Sequence, residues 1–396
     1  MNLFEIDSSC QYWVVRAGAK AISYHQFISS GCVALGHMDN IGFDSEGVIT
    51  EDDVPELERR IVLLNTRSAN PEEPRQLSAR LGQIRHFIND FKIGDTVFTL
   101  SKSRISIGTI ISDAYIDSEP LFSINPSTGE RVNSSSSQIL RRKVKWESRK
   151  LRTSLPTPIS KSLGSQKTVF SLEVHKELLK HWLYGLYIEN NELHFTTEIN
   201  QTSDIAQFHL SEFQRIIQKL ELFSILELDE NSFDEDLLHD LYYQFGGQDR
   251  FTLTNKSIFT SPGHSWGKIL GDRATLIAFA FLITGCMGEA ITPVDQADNY
   301  ILVSNQAELT KAIEHIKTTT TFESHKDHLE AFISKPNKGQ FSIDRVEVSN
   351  PLTKSSFSPI IENEEENIEN NEVSSAEIDD RYDDFPEISD EGDIGV

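Results

Sequence analysis

Cysteine is scarce in this chain: three in 396 residues, at Cys10, Cys32 and Cys286. The number is odd and the spacing matches neither a CxxC pair nor a zinc pattern. A disulfide framework and a cysteine-held metal are therefore excluded, and reduced thiols in a cytoplasmic protein are expected. The first seven residues carry Glu5 and Asp7 and no apolar segment of the kind a secretory signal needs. Long apolar runs are missing too. The uncharged stretch Ala274 to Gly288 is fifteen residues long and includes two Gly and two Thr, whereas a span needs about 20 apolar residues. It reads as a buried core helix rather than a membrane-active segment. Catalytic signatures are absent in the same way: no Walker loop, no GxSxG elbow, no HExxH. The nearest approach to an Asp…Glu-x-Lys nuclease arrangement is Glu173-Val174-His175-Lys176, which falls on a predicted helix. His325 and His328 share a helical face, with Asp327 and His315 in the same region, but a further ligand at matching spacing is missing and a polar helix surface is the simpler reading. No metal, cofactor or catalytic residue is assigned.

Cations are also in deficit: 37 Lys and Arg against 61 Asp and Glu, a net charge of −24. Taken whole, that balance repels a phosphate backbone. The charge is uneven, however. Residues 361–396 hold fifteen acids against the single Arg381, a net of −14, so −10 remains for the preceding 360 residues.

What is present starts with Tyr12-Trp13-Val14-Val15-Arg16-Ala17-Gly18, answered by Gly31-Cys32-Val33-Ala34-Leu35-Gly36-His37. Aromatic and β-branched residues followed by a Gly-bearing turn predict a strand in each, and Tyr24, Phe27 and Ile28 between them predict a helix. Gly18, Gly36 and Gly94 read first as turn residues, and Asp95 as the residue that closes its turn through its side chain. Phe91 to Leu100 and Ser106 to Tyr115 supply further strands, and Arg141-Arg142-Lys143-Val144-Lys145-Trp146 a basic, alternating one. Amphipathic helices are predicted over Glu51 to Leu64, acidic at its N-terminal end, and over Gln76 to Asp90. Pro120 to Gln138 is a long polar connection. After it, Arg141, Arg142, Lys143, Lys145, Arg149, Lys150 and Arg152 surround Trp146 with one acid, Glu147. Cations with an aromatic among them suit a nucleic-acid groove; the other reading is a solvated strand face balancing the acidic helix.

The succession Trp-Val-Val-Arg-Ala-Gly, Val-Ala-Leu-Gly-His, Phe-Lys-Ile-Gly-Asp-Thr-Val, Ile-Gly-Thr-Ile and Arg-Arg-Lys-Val-Lys-Trp resembles the PUA-like modules of the EVE type, over roughly residues 9 to 170. Such modules often stand at the N-terminus of prokaryotic restriction and anti-phage proteins. The resemblance implies a small β-barrel with flanking helices and a pocket for a nucleobase, often a modified one, between aromatic and polar groups. A base drawn out of a duplex loses its stacking and pairing, which such groups replace. The residues expected to contact nucleic acid are Trp13, Arg16, Gly18, His37, Tyr115, Arg141, Arg142, Lys143, Lys145, Trp146 and Arg149. His37 departs from the pattern, since many relatives carry Trp there. A Trp in a barrel strand also reads as core, and Arg16 also as a brace for a carboxylate.

Residues 171–349 resemble nothing recognisable and alternate as a mixed α+β domain. Helices are predicted over Glu173 to Leu183, Ser211 to Leu228 and Phe233 to Phe245, and a strand pair turns at Asn190-Asn191. Ser261-Pro262-Gly263-His264-Ser265-Trp266-Gly267 reads as a small-residue loop ahead of the core helix, and Gln340 to Val348 as a last strand. The acidic segment 350–396 is expected to be disordered when free, punctuated by Ile378, Tyr382, Phe385 and Ile388. The chain is thus expected to be α+β in class, with domains at 1–170 and 171–349 and a tail at 350–396. The function expected is DNA sensing or specificity in an anti-phage or restriction system, with DNA as ligand and a protein partner met by the second domain or the tail. A metal-dependent nuclease effector and an acidic interaction or DNA-mimic protein are the alternatives.

Overall fold

The computed structural model describes residues 1–339 and 355–357, apart from 37, 39–40, 126, 135–137, 227–232 and 259–262. The N-terminal half contains β1 (Phe4–Glu5), β2 (Tyr12–Val15), α1 (Tyr24–Ser30), β3 (Cys32–Leu35), β4 (Phe43–Ser45), β5 (Gly47–Val48), α2 (Val54–Arg67) and α3 (Pro74–Arg85). It continues through β6 (Thr96–Leu100), β7 (Arg104–Ile110), β8 (Tyr115–Ile116), β9 (Phe122–Ile124), β10 (Arg131–Asn133), β11 (Leu140–Leu151), α4 (Thr157–Ser162) and β12 (Val169–Ser171). One sheet runs β12-β2-β6-β7-β11-β8-β5, with β3 joined to β11. The long β11 curls it into a half-barrel by changing partners: Leu140 to Lys143 pair with β3, and Val144 to Leu151 with β7. Gly108 lets β7 lie against it, because a Cβ there would come within 2.7 Å of the Lys145 carbonyl oxygen. One face of the sheet packs Val15, Val33, Val97, Ile110 and Val144 in a cluster with α1 and α2.

The predicted helices form, with edges set by capping. Thr50 and Asp53 make a capping box ahead of a 3₁₀ turn at Glu51–Asp53, so α2 proper starts at Val54. The helix predicted to Asp90 is α3 followed by a π-helical turn, His86–Asp90. The polar connection 120–138 differs from expectation: β9 and β10 pair as a hairpin.

The second half comprises α5 (Lys176–Tyr184), β13 (Leu186–Glu189), β14 (Glu192–Ile199), α6 (Gln207–Ile225), α7 (Glu235–Gly247), β15 (Thr254–Ile258) and β16 (Gly263–Leu270). It ends with α8 (Arg273–Cys286), α9 (Gln296–Thr319), α10 (Phe322–Leu329), β17 (Ala331–Ile333) and β18 (Ser356–Phe357). Asn190 and Asn191, at φ 49° and 62°, make the tight turn between β13 and β14. The second sheet runs β1-β13-β14-β16-β15, with β17 also on β14. Leu193, Phe195, Ile199 and Ile269 face α6 and α8 across an apolar core. α8 is capped by Asp272, whose side chain accepts from the Thr275 N–H, and is buried in that core. Gly285 brings it against α9, since a Cβ there would stand 2.3 Å from Ile313 Cδ1. Among the described residues no helix is long and apolar enough to cross a membrane. The loop expected at Ser261 to Gly267 is a strand from Gly263 onward, and its first two residues lie outside the described residues. The strand expected at Gln340 to Val348 and most of the 350–396 tail lie outside the described residues; within that tail Ser356–Phe357 pairs with β4.

A cut at residue 170 does not separate the two sheets cleanly. β1 pairs in parallel with β13 of the second sheet, and Asn337 and Lys338 return to the first. Asn337 bonds the Leu183 and Trp182 carbonyls, and its own carbonyl accepts from Ser148 Oγ at 2.5 Å. Lys338 Nζ donates to Thr96 Oγ1 at 2.9 Å and lies 4.0 Å from Glu147 Oε1. Glu147 reaches it because it is the extra residue of a β-bulge between Trp146 and Ser148, and Thr109 Oγ1 donates to it at 2.5 Å. Burial pushes the Lys338 ammonium down, but Tyr184 and Glu147 hold it above its ordinary value; burial pushes Glu147 up. Removing one member strands the other, so Lys338→Met is expected to cost about 3–5 kcal/mol, and Glu147→Gln in the same chain to return part of it. Urea unfolding of the single and double variants measures both.

His181, on α5, is buried with Nδ1 2.9 Å from Thr196 Oγ1. Burial, with His194 and Lys256 adding to it, pushes its pKa down to about 3. The unfolded chain takes up a proton near pH 6.5 that the folded chain refuses, so stability falls as pH falls from 6.5 toward 3. Between pH 7 and 5 this contributes a loss of about 2 kcal/mol. In His181→Gln the pH 7 to 5 difference in unfolding free energy is expected to shrink by about that amount.

Candidate functional site

The residues expected to contact nucleic acid separate into two groups in the structure. Trp13, on β2, is buried: its indole N–H donates to Asp95 Oδ2 at 3.0 Å and its ring stacks on Phe91 at 4.3 Å. Asp95 also accepts from the Gln11 and Lys92 N–H groups, the turn closure expected of it; burial pushes its carboxyl up against those bonds. The Arg16 guanidinium donates to the Leu163 and Ser165 carbonyls, both at 2.5 Å, bracing backbone rather than a carboxylate. Tyr115 is buried in β8 between β5 and β11, and burial pushes its phenol well up.

The basic run does not form one solvent-facing groove. Arg141 is buried, with Nη1 2.7 Å from Asp117 Oδ2 and Nε 2.9 Å from the Gln138 carbonyl. Arg142, 2% exposed, points to the opposite side of the strand. There it donates to the carbonyls of Phe87 at 2.8 Å, Ile88 at 2.8 Å and Ser112 at 3.0 Å. These are carbonyls that the π-helical turn and the neighbouring loop leave open, and burial pulls the guanidinium down to about 10. Trp146 is half-buried and donates to the Phe27 carbonyl at the end of α1. Lys143 is half-buried, and Lys145 and Arg149 are exposed, the latter 5.7 Å over the Tyr24 ring. The expectation of a cationic groove including Arg141 and Arg142 is corrected: both are structural.

Gly18 leads to a different place. It lines a cavity of about 630 Å³ together with Gly36 and Gln138. Ile22, Ile41 and Leu64 give it apolar walls, and Asn65, Ser68 and Arg80 give polar ones. Arg80 is paired with Glu72, so the lining carries no net charge from that pair. His37 follows Gly36 but lies outside the described residues. The Gln138 side chain runs between the two glycines: a Cβ on Gly36 would stand 3.9 Å from its Nε2, and one on Gly18 4.0 Å.

Two features set this cavity apart. The first is backbone strain. Gly18 has φ 74°, Lys20 52°, Ala21 59° and Gln138 39°; side-chain-bearing residues in that region cost about 1–3 kcal/mol each. Gln138 is held there by its carbonyl's bond to Arg141 Nε. The second is an unmet polar atom: among the described residues Gln138 Oε1 is buried without a hydrogen-bond partner, as is Arg80 Nε. A buried unpaired amide oxygen costs about 1–3 kcal/mol, an outlay that a bound donor would offset. The sequence marks Gly18 as a turn and as an expected nucleic-acid contact and Gly36 as a turn, but not Gln138, whose signal is position alone: it ends a polar loop where the basic strand begins. Among the described residues no cluster of three His, Cys, Asp or Glu side chains could hold a metal ion.

Fold and cavity define a mixed α+β protein whose curled half-barrel carries an amide-lined pocket at one edge. Compared with protein-family models, curated proteins and solved structures, the chain matches none.

The burial of Arg142 gives a direct test of its role. Arg142→Met leaves three carbonyls without donors and is expected to cost about 3 kcal/mol or more in urea unfolding, whereas Arg149→Gln is expected to stay within about 1 kcal/mol.

Proposed function

We propose that this chain is a DNA-sensing or specificity component of a prokaryotic anti-phage defence or restriction system. In this reading its N-terminal half is a PUA-like module that takes a nucleobase, modified or not, into the cavity at Gln138. The observation that carries the reading is the buried, unpaired Gln138 amide oxygen in a strained loop beside apolar walls. A flipped base is flat and apolar on its faces and has donors and acceptors on its edge. Ile22, Ile41 and Leu64 suit the faces, and Gln138 with Asn65 suits the edge. The base-reading role moves from Trp13, Tyr115 and Trp146, which serve the core, to Gln138 between Gly18 and Gly36. Lys145 and Arg149 remain as exposed cations for phosphate. The second half then couples base capture to a partner or an effector.

A second reading is favoured by one observation: Arg141 and Arg142 are withdrawn into the interior, which leaves the surface of a chain of charge −24 still more acidic. That suits an interaction protein that occupies a basic, nucleic-acid-binding partner.

Fluorescence anisotropy of the full chain with unmodified and base-modified duplexes, at two salt concentrations, distinguishes them. The base-reading proposal expects tighter binding to a modified duplex and loss of that preference by about tenfold or more in Gln138→Leu. Absence of binding to any duplex at low salt, with salt-sensitive binding to a basic protein, would replace it with the second reading.

A further inference from the structure

The second sheet has its own cleft. The face of β14 and β16 turned away from α6 and α8 opens a space of about 200 Å³ against α5 and β15. The His181 ring lies stacked on the Trp266 indole, with centroids 5.4 Å apart and planes 20° apart. The His194 ring lies on Tyr187 at 4.6 Å and 3°. The two imidazoles meet edge to face at 5.9 Å.

The chemistry of the lining narrows what can bind. Two lysines reach the cleft, but both are held by carboxylates: Lys256 bonds both oxygens of Glu177 at 3.0 and 2.9 Å, and Lys268 bonds Glu192 at 2.8 Å. A phosphate would have to break these pairs. Burial lowers both imidazoles from their ordinary pKa, so each is neutral near pH 7. His181 Nδ1 is engaged by Thr196. His194 Nε2 is buried and lies 3.2 Å from Glu192 Oε2 without an aligned hydrogen bond. The cleft therefore offers the half-buried indole of Trp266, for stacking, and the His194 ring nitrogen for a hydrogen bond, with Thr254 and Asn255 also in its lining. The volume is below the range of drug-sized pockets and suits a single ring system.

We infer that this cleft binds a neutral planar heteroaromatic ring of the nucleoside class, stacked on Trp266 and hydrogen-bonded to His194 Nε2. The site shares no residue with the cavity at Gln138 and stands whether or not that cavity reads a base.

Equilibrium dialysis of the full chain against adenosine and against AMP, with intrinsic fluorescence followed in parallel, tests this. Saturable adenosine binding is expected, with AMP no tighter, because Lys256 and Lys268 are held by carboxylates. Trp266→Leu is expected to weaken binding about tenfold or more. His194→Phe keeps the stack on Tyr187 and removes the nitrogen, so it provides a test that survives if Trp266→Leu fails to fold; it is expected to weaken binding about fivefold or more. Three outcomes would each overturn the inference: no adenosine binding, binding untouched by both cleft variants, or AMP preferred about tenfold.

Discussion

The structure depends on a charge pair buried where its two sheets meet. Glu147 is turned inward by a bulge in β11, and Lys338 is carried in by a segment that follows the last strand of the second sheet. Neither could be buried alone at tolerable cost. An apolar pair of similar volume would hold the halves together as firmly. The ionic pair adds selectivity, because other ways of docking the sheets would leave a charge in a dry interior. Thr96 and Thr109, both on the half-barrel, satisfy further hydrogen-bonding capacity of the pair. The junction is thus specified by four side chains drawn from distant parts of the chain.

The same principle explains the two arginines of the basic run. Arg141 ties down the polar connection through Asp117 and the Gln138 carbonyl, while Arg142 closes the open end of the π-helical turn. Successive residues of a strand point to opposite sides, so one pair of arginines anchors two different loops. The strained geometry at Gln138 exists because Arg141 fixes it, which links a structural arginine to the cavity that lies beyond it.

What was legible in the sequence follows from the range of the interactions. The stripe Phe213, Ile216, Ile217, Leu220, Phe223 and Ile225 announces α6, and all but the half-buried Ile225 are buried; Asn190-Asn191 announces its turn. These signals are local. The strand Gly263–Leu270 overlaps the loop expected at Ser261 to Gly267 because its small residues look like turn residues. Gly267 is small for a tertiary reason: a Cβ there would sit 2.1 Å from the Phe195 ring. The burial of Arg141 and Arg142 was illegible for a similar cause, since their carbonyl partners lie up to 55 residues away. The site was half legible. Gly18 and Gly36 stand out by type, whereas Gln138 gains its meaning from the two glycines it lies between.

The position of β1 has a consequence for how the chain comes together during synthesis. Phe4 and Glu5 are made roughly 180 residues before their partners Tyr187 and Ile188, with the strands of the half-barrel in between. At about 5–20 residues per second, that edge waits on the order of ten seconds or more. Among the edges still open once the half-barrel forms, together with β4, which waits for Ser356–Phe357, is this short segment. Its brevity limits what the waiting edge can capture in the meantime.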